Sequence, residues 1–146
     1  MEIRPLRPED RVAWEPLWRG YLEFYETELP PAQYDLTWKR LMDPAELMYA
    51  LGAFEYGKLI GITHYILNRS CWLETYGCYL QDLFTHKDHR GKGVGTALIR
   101  AVREETIKLG AHSLWWMTQE SNATARRVYD QLATNTGTAI YKMDLK

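Results

Sequence analysis

The sequence lacks several features that mark whole classes of protein. Its 146 residues contain no apolar run long enough to span a membrane, and the segment Met1–Pro5 does not resemble a signal peptide. With a net charge of −1, the chain has no excess of positive charge with which to bind nucleic acid. We therefore expect neither a membrane nor a nucleic acid as a partner.

Cysteine is scarce as well. Cys71 and Cys78 are the only two, and their spacing does not suit a metal site. We expect both to be free, buried thiols in a reducing cytoplasm. His86 and His89 do have metal-like spacing, but they lie in a polar stretch with no third ligand nearby, so no metal site is expected.

The chain also has no internal repeat, no low-complexity tract and no domain linker. With 46% hydrophobic and 25% charged residues, it has the composition of an ordinary globular protein. Its length suffices to bury one core. We expect a single domain over residues 1–146.

The most informative stretch that is present is the glycine-rich segment His89–Thr96. The apolar and aromatic run Tyr79–Thr85 before it predicts a strand. The apolar spacing that begins at Val94 predicts a helix, for which Gly110 is a stop signal. The glycines therefore lie at a strand-to-helix junction, where they allow a tight turn without Cβ atoms in the way.

This junction has the properties of an anion site. The first turn of a helix leaves its N–H groups free, and Arg90 and Lys92 add full positive charges. A phosphate or pyrophosphate is the natural ligand. A nucleotide-triphosphatase loop is excluded because Lys92 precedes the last two glycines, and the spacing fits a dinucleotide fingerprint poorly. The pattern Arg90-x-x-Gly93-x-Gly95 instead resembles the acetyl-coenzyme A loop of the GNAT N-acetyltransferase superfamily.

A second segment strengthens the resemblance. Residues 113–118 read as a strand, and Ser121 is a good N-cap for the helix that follows. Asn122 and Tyr129 then lie on one helical face, with the small Ala125 between them. In this family the asparagine position contacts the pantetheine arm of the cofactor, and the tyrosine position is the general acid. The nearest branch is that of the histone, polyamine and small-amine acetyltransferases.

The resemblance implies a mixed α/β fold. The family has a central, mostly antiparallel, twisted sheet that is splayed between strands 4 and 5 and flanked by about four helices. Trp14 and Trp18 recur at helical spacing and are expected to face the core. His64, within a predicted strand, is expected to be packed or hydrogen-bonded rather than catalytic. Strands are predicted over residues 2–6, 47–55, 59–68, 79–85, 113–118 and 138–145, and helices from Pro8, over 33–42, from Val94 and from Ser121.

The resemblance also implies acetyl-coenzyme A (acetyl-CoA) as the cofactor. A bulge in the strand before the loop would present a backbone N–H to the thioester oxygen, and it maps to Leu83-Phe84. The residues expected to bind the cofactor are Leu83, Phe84, Thr85, Arg90, Gly91, Lys92, Gly93, Val94, Gly95, Thr96, Asn122, Thr124, Ala125 and Tyr129.

The acceptor residues are less well defined. Acids and aromatics near the end of the first helix, Tyr25, Glu26 and Glu28, would suit a cationic amine, although a solvated helix end fits equally well. Gln81 stands where polyamine relatives carry a glutamate, and it cannot take a proton. Asp82 or Glu74, acting through water, remain candidates for the base, and Asp82 could equally hold the strand end.

The sequence therefore predicts a cytoplasmic acetyl-CoA-dependent N-acetyltransferase. The acetyl group would pass to a small primary amine by direct attack in a ternary complex, with Tyr129 as general acid. Acetylation of a protein lysine or N-terminus is the first alternative, and a non-catalytic acyl-CoA-binding module is the second. Because relatives pair through their C-terminal strands, a homodimer built on residues 138–145 is expected.

Overall fold

The computed structural model describes residues 1–146, which form two compact units, Met1–Trp116 and Met117–Lys146. In the first unit, short 3-10 turns at Pro8–Asp10 and Lys87–His89 precede a helix and the glycine loop. Its strands are β1 (Glu2–Pro5), β2 (Met48–Glu55), β3 (Lys58–Arg69), β4 (Tyr76–Thr85) and β5 (Ser113–Trp115), and its helices are α1 (Arg11–Phe24), α2 (Pro31–Leu41) and α3 (Val94–Lys108). The second unit contains α4 (Ala123–Leu132).

The five strands form one sheet in the order β1-β2-β3-β4-β5. Every neighbouring pair is antiparallel except β4 and β5, which run parallel. Their pairing extends only from Gly77↔Ser113 to Tyr79↔Trp115, so the rest of β4 has β3 as its sole neighbour. This confirms the predicted mixed α/β fold, with four α-helices and a mostly antiparallel sheet that opens between strands 4 and 5.

Helices cover both faces of the sheet. On one face, α1 and α2 pack Trp14, Trp18 and Trp38 into a core that includes Ile62 of β3. Gly61, the neighbouring residue of β3, faces the opposite side because side chains alternate along a strand. There α3 approaches so closely that a Cβ on Gly61 would lie 2.9 Å from a methyl carbon of Val94. Both predicted core tryptophans of α1 are buried, as expected.

Two predicted elements differ from the structure. The strand expected over residues 138–145 is absent: the chain after Ala133 has no regular structure, and Tyr141 is exposed. A strand needs a neighbouring strand as the partner for its backbone hydrogen bonds. The alternating pattern of residues 138–145 does not provide one, and these residues join no sheet of the chain. The second helix begins at Pro31 rather than residue 33, because proline suits the first helical turn.

The two cysteines are free thiols, but they differ in exposure. Cys78 is buried, and burial raises the pKa of its thiol to about 11. Cys71 is exposed, so the prediction that both are buried was wrong for this residue. It lies in the turn between β3 and β4, where no element covers it. None of the helices combines the length and apolar character that crossing a bilayer requires.

A charged contact ties the first strand to the first helix. Arg4 of β1 donates two hydrogen bonds to the carboxylate of Asp10, at 2.7 and 3.1 Å. The Arg7 backbone N–H donates a third at 2.7 Å. Although burial opposes it, the Arg4 guanidinium lowers the pKa of Asp10. The carboxylate therefore contributes stability at neutral pH that is lost as the pH falls below its unfolded value of 3.8 and through the lowered folded value.

We expect Asp10→Asn to lower the free energy of unfolding at pH 7 by about 2 kcal/mol, the scale of hydrogen bonds to a charged group. The difference from the native protein should be smaller at roughly pH 3, which lies below the unfolded pKa of 3.8 and approaches the lowered folded pKa at which native Asp10 is protonated too. Urea denaturation at both pH values measures it. Asp35→Asn is the matched control, because that exposed carboxylate forms one ion pair with Arg11 and its loss should change little. Equal effects of the two substitutions at pH 7 would contradict the assignment.

Candidate active site

The junction of β4 and α3 has the backbone that the glycine pattern predicted. Gly91 and Gly93 have φ angles of +75° and +82°, in the left-handed region where a Cβ costs about 1–2 kcal/mol. Gly95 has an ordinary helical conformation inside α3, and a Cβ there would meet only Leu83, at 3.8 Å. The turn itself thus requires the first two glycines of the pattern, but not the third.

The start of α3 presents donors for an anion. Gly93 is the N-cap residue and supplies no side-chain cap. The first helical hydrogen bond runs from the Ala97 N–H to the Gly93 carbonyl at 3.0 Å, so the N–H groups of residues 94–96 have no partner within the helix. These groups fit a phosphate.

Two cations flank these donors. Arg90 donates from Nε to the Thr85 carbonyl at 3.0 Å and lies over the Phe84 ring, 5.2 Å from its centroid. Neither Arg90 nor Lys92 has a carboxylate partner among the ion pairs of the chain. Their positive charge is therefore available to an anionic ligand.

A buried polar pair lies on β3 and β4, in the stretch that leads to this junction. His64 Nδ1 is 2.9 Å from Asp82 Oδ2, and both side chains are buried. His64 also accepts a hydrogen bond at Nε2 from the Trp14 indole, with 3.0 Å between the nitrogens. The expectation that His64 is hydrogen-bonded is met, but its partner is a residue of the candidate site.

A β-bulge brings this pair together. His64 pairs with Asp82, but the next residue of β3 pairs with Leu80. Gln81 is therefore the extra residue of the bulge, and its side chain is exposed. The bulge expected at Leu83-Phe84 is not there: those two residues pair in regular register with β3. The position of a bulge depends on the partner strand, which the sequence of β4 alone does not contain.

Two tyrosines, Tyr21 and Tyr79, interact with Asp82. Tyr21 lies 5.1 Å from Trp18 and 4.9 Å from Tyr25, measured between ring centroids. Burial raises the pKa of Tyr21 well above its ordinary value, and the charge of Asp82 raises it further. Burial first, and then the same carboxylate, raise the pKa of Tyr79. Both hydroxyls therefore remain protonated at neutral pH and can donate hydrogen bonds.

The residues predicted to bind the acceptor fall in two places. Tyr25 contacts Tyr21, and the Gln81 carbonyl is 3.5 Å from the Tyr21 hydroxyl. Glu26 and Glu28 instead line a cleft of about 710 Å³ at the end of α1 and the start of α2. The full lining of this acidic cleft is Glu15, Arg19, Glu23, Glu26, Thr27, Glu28, Leu29, Pro31 and Tyr34.

Four predicted site residues belong to the second unit. Asn122 is the N-cap of α4, and its side-chain oxygen accepts the Ala125 N–H at 3.2 Å. Ser121, the expected cap, lies one residue too early. Capping occupies only the oxygen, so the Asn122 amide N–H groups remain able to donate. Thr124 follows in the first turn, and Tyr129 lies on the same face as Asn122.

The sequence interpretation missed two residues at this site. Trp14 was assigned to the helix stripe that faces the core, and His64 was set apart as a packing residue. Only the pairing of β3 with β4 reveals that His64 opposes Asp82. A search for acids opposite histidines in predicted antiparallel strands could have suggested it.

Comparison with known proteins gives a consistent result. Residues 14–133 match the model of the acetyltransferase (GNAT) family. The D-amino-acid N-acetyltransferase of Saccharomyces cerevisiae is 32% identical over 142 residues, which cover 96% of this chain and 88% of that protein. The L-ornithine N5-acetyltransferase of Arabidopsis thaliana is 26% identical over 133 residues, covering 90% of this chain and 54% of that protein.

Solved structures agree on the fold. A ribosomal-protein-alanine N-acetyltransferase from Brucella melitensis biovar Abortus 2308 superposes with a TM-score of 0.81 at 22% identity, covering 99% of this chain and 100% of that one. At that identity the likeness concerns the fold alone. Because the family match spans most of the sequence and the yeast relative is similar over nearly its whole length, this chain belongs to the acetyltransferase (GNAT) family and is an N-acetyltransferase.

Proposed function

We propose that this N-acetyltransferase transfers the acetyl group of acetyl-CoA to the primary amine of a small cationic molecule. Attack would be direct, with both substrates bound at once. The observation that carries the proposal is the β4–α3 junction, where helix N–H donors and two cations lie a few residues from the buried carboxylate of Asp82. Strand β4 thus connects an anion cradle, formed by the helix N–H donors with Arg90 and Lys92, to a carboxylate able to accept a proton.

The cradle is assigned to the pyrophosphate of acetyl-CoA, which GNAT enzymes generally use. The N–H groups at the start of α3 would bind its oxygens, and Arg90 and Lys92 would balance its charge. The rest of the proposed cofactor contact comprises Leu83, Phe84, Thr85, Gly91, Gly93, Val94, Gly95, Thr96, Asn122, Thr124, Ala125 and Tyr129. When bound, the cofactor supplies the acetyl thioester.

The acidic cleft supports a cationic acceptor. Four glutamates and one arginine line it, which leaves a negative excess that attracts ammonium groups. Apart from this cleft, Tyr25 and Tyr21 pack together near the Gln81 carbonyl and offer aromatic faces suited to cation–π contact. The relatives named for D-amino acids and for ornithine act on small amines, which favours a small molecule over the alternative of a protein lysine or N-terminus.

Asp82 is the proposed base. A lysine-like amine has a pKa near ~10.4 and must lose a proton before its lone pair can attack. Glu74, the other candidate, is exposed in the turn that precedes β4. It lies eight residues before Asp82, about 26 Å along an extended chain. Asp82, close to the junction and to the hydroxyl of Tyr21, is the better placed of the two.

Tyr129 is the proposed acid. The departing thiolate, with a pKa of roughly 8.5, requires a proton, and a phenol with a pKa of about 10 can supply it. This assignment rests on the family resemblance and on the helical face that Tyr129 shares with Asn122. An acid at this position also argues against a non-catalytic acyl-CoA-binding module, which would need none.

Release of coenzyme A thiol with a panel of amines tests the function. Diamines and ornithine should be turned over faster than a neutral amine or a lysine-containing peptide. Glu26→Gln with Glu28→Gln should raise KM for a diamine several-fold with little change in kcat, because charge attraction acts in binding. Turnover of the peptide alone would favour the protein-acetylating alternative. Binding of acetyl-CoA without turnover of any amine would favour the non-catalytic module.

We expect Gly93→Val to abolish coenzyme A binding in calorimetry, because Gly93 holds a left-handed φ at the start of the cradle. Gly57→Val is the matched control. Gly57 has a φ of +77° in the turn between β2 and β3, so both substitutions impose a similar backbone strain. Circular dichroism should show both variants folded, and only Gly93→Val should lose the cofactor. Native affinity in that variant would refute the assignment of the loop.

We expect Tyr129→Phe to lower kcat by roughly 10²-fold while leaving acetyl-CoA affinity nearly unchanged. The substitution removes only the hydroxyl that would protonate the thiolate. Steady-state kinetics at saturating amine measures the effect. An acyl donor with a more acidic thiol should restore most of the rate, since its thiolate leaves without a proton. Undiminished kcat with acetyl-CoA would exclude Tyr129 as the acid.

The homodimer remains part of the proposal. Residues 138–145 have no neighbouring strand and expose Ile140, Tyr141 and Met143, while β5 has a sheet partner on one side only. A second copy of the chain could cover both. Light scattering at micromolar concentration should give the mass of a dimer, and a chain ending at Gly137 should give that of a monomer. A monomer mass for the 146-residue chain would contradict the proposed dimer.

A further inference from the structure

A continuous hydrogen-bonded chain crosses the core from α1 to β4. The Trp14 indole N–H donates to His64 Nε2 at 3.0 Å, and His64 Nδ1 lies 2.9 Å from Asp82 Oδ2. The three residues are 0%, 3% and 7% exposed. Polar groups this deeply buried are costly unless paired, and here each has its partner.

The geometry determines where the imidazole proton lies. An indole nitrogen can only donate, so His64 Nε2 must be an acceptor and carries no proton. The proton of the neutral ring is then on Nδ1, where it is donated to the carboxylate of Asp82. His64 therefore presents a fixed N–H to Asp82, and its other nitrogen is occupied.

The backbone holds Asp82 as firmly as the side chains do. The bulge at Gln81 sets the register in which Asp82, rather than Gln81, opposes His64. The Thr63 hydroxyl donates to the Asp82 carbonyl at 2.8 Å. Contacts from β3 therefore define both the position of this residue and the direction of its side chain.

Few other titratable groups face His64. Asp82 lies opposite it on β4, and α1 contributes Tyr21, which interacts with that carboxylate. From β2 the opposing residue is the apolar Ala50. Helix α2 packs Tyr34 against Trp14, with ring centroids 6.3 Å apart. No cation faces the pair, so the polar support of the carboxylate comes from the His64 N–H and from the Tyr21 hydroxyl.

We propose that His64 is a positioning residue for the catalytic carboxylate of Asp82. The hydrogen bond from Trp14 fixes the tautomer of His64 that carries its proton on Nδ1 and donates it to Asp82. His64 Nδ1–H holds Asp82 in the orientation in which it accepts the proton of the attacking amine. The amine N–H bond breaks, its electron pair stays on nitrogen, and an O–H bond forms on Asp82. The Trp14 indole N–H occupies Nε2, so this nitrogen does not compete for the proton. This inference rests on the proposed role of Asp82.

The first test compares two amides at position 64. The amide nitrogen of asparagine reaches the place of Nδ1, whereas that of glutamine reaches the place of Nε2. We expect His64→Gln to lower kcat roughly 10-fold or more at nearly constant KM for the cofactor, and His64→Asn to recover most of that loss. A merely structural histidine would not distinguish the two. Equal kcat values in the two variants would overturn the proposal.

The second test observes the proton directly. Nitrogen-15 NMR of histidine-labelled protein at pH 7.5 should show His64 protonated at Nδ1 and unprotonated at Nε2. A proton on Nε2 would overturn the proposal. Replacing Trp14 with benzothienylalanine keeps the ring shape but removes the N–H. The fraction of doubly protonated His64 at pH 6 should then rise, and kcat at pH 6 relative to pH 8 should fall. Unchanged protonation in this variant would overturn the role of Trp14.

Asp82→Asn separates this inference from the function on which it rests. If Asp82→Asn keeps the native kcat, Asp82 is not the base and the positioning role of His64 fails with it, while acetyl transfer to a small amine stands. If it lowers kcat by roughly 10²-fold while His64→Gln and His64→Asn behave alike, the base stands and the positioning role fails. If the native protein releases no thiol with any amine, the proposed function fails regardless of the state of His64.

Discussion

The pairing of β3 with β4 is the constraint on which the candidate site depends. Side chains alternate along a strand, so a shift of one residue would exchange Asp82 for Gln81 opposite His64. Only one of those two side chains can take a proton. The bulge at Gln81 thus determines that the residue of β4 opposite His64 is a carboxylate rather than an amide. The tryptophan-rich core against α1 stabilises this register, because Trp14 packs there and also donates a hydrogen bond to His64.

The same strand joins the two parts of the site. β4 carries Asp82 and ends three residues later at Thr85, and the chain then enters the glycine loop and α3. Its last residues have no neighbour on the β5 side, because that parallel pairing ends at Tyr79. An opening of this kind leaves backbone groups of β4 without a strand partner, shortly before the free N–H groups at the start of α3. The gap in the sheet and the uncapped helix start are therefore parts of one arrangement.

Much of the fold was readable in the residues. The glycine pattern located the β4–α3 junction, and the helical spacing of Trp14 and Trp18 identified a core face. Local signals of this type hold because left-handed turns need glycine and buried helix faces need apolar side chains. The prediction of a C-terminal strand was wrong because it concerned a non-local feature. Residues 138–145 largely alternate between apolar and polar side chains, but a strand also requires a partner strand, and none pairs with them. The cap of α4 moved from Ser121 to Asn122 because neighbouring polar residues are almost equally good caps.

By itself, the sequence determined the family, the glycine turn between β4 and α3 and the identity of the acidic and aromatic residues near the end of α1. These depend on residue types at short spacing, where local geometry follows from the chain. Tertiary structure alone decided that Asp82 faces His64, that Trp14 donates a hydrogen bond to His64, and that Glu26 and Glu28 line a cleft apart from Tyr25. Those outcomes depend on strand register and helix packing, and they join residues up to 50 positions apart that no local pattern relates.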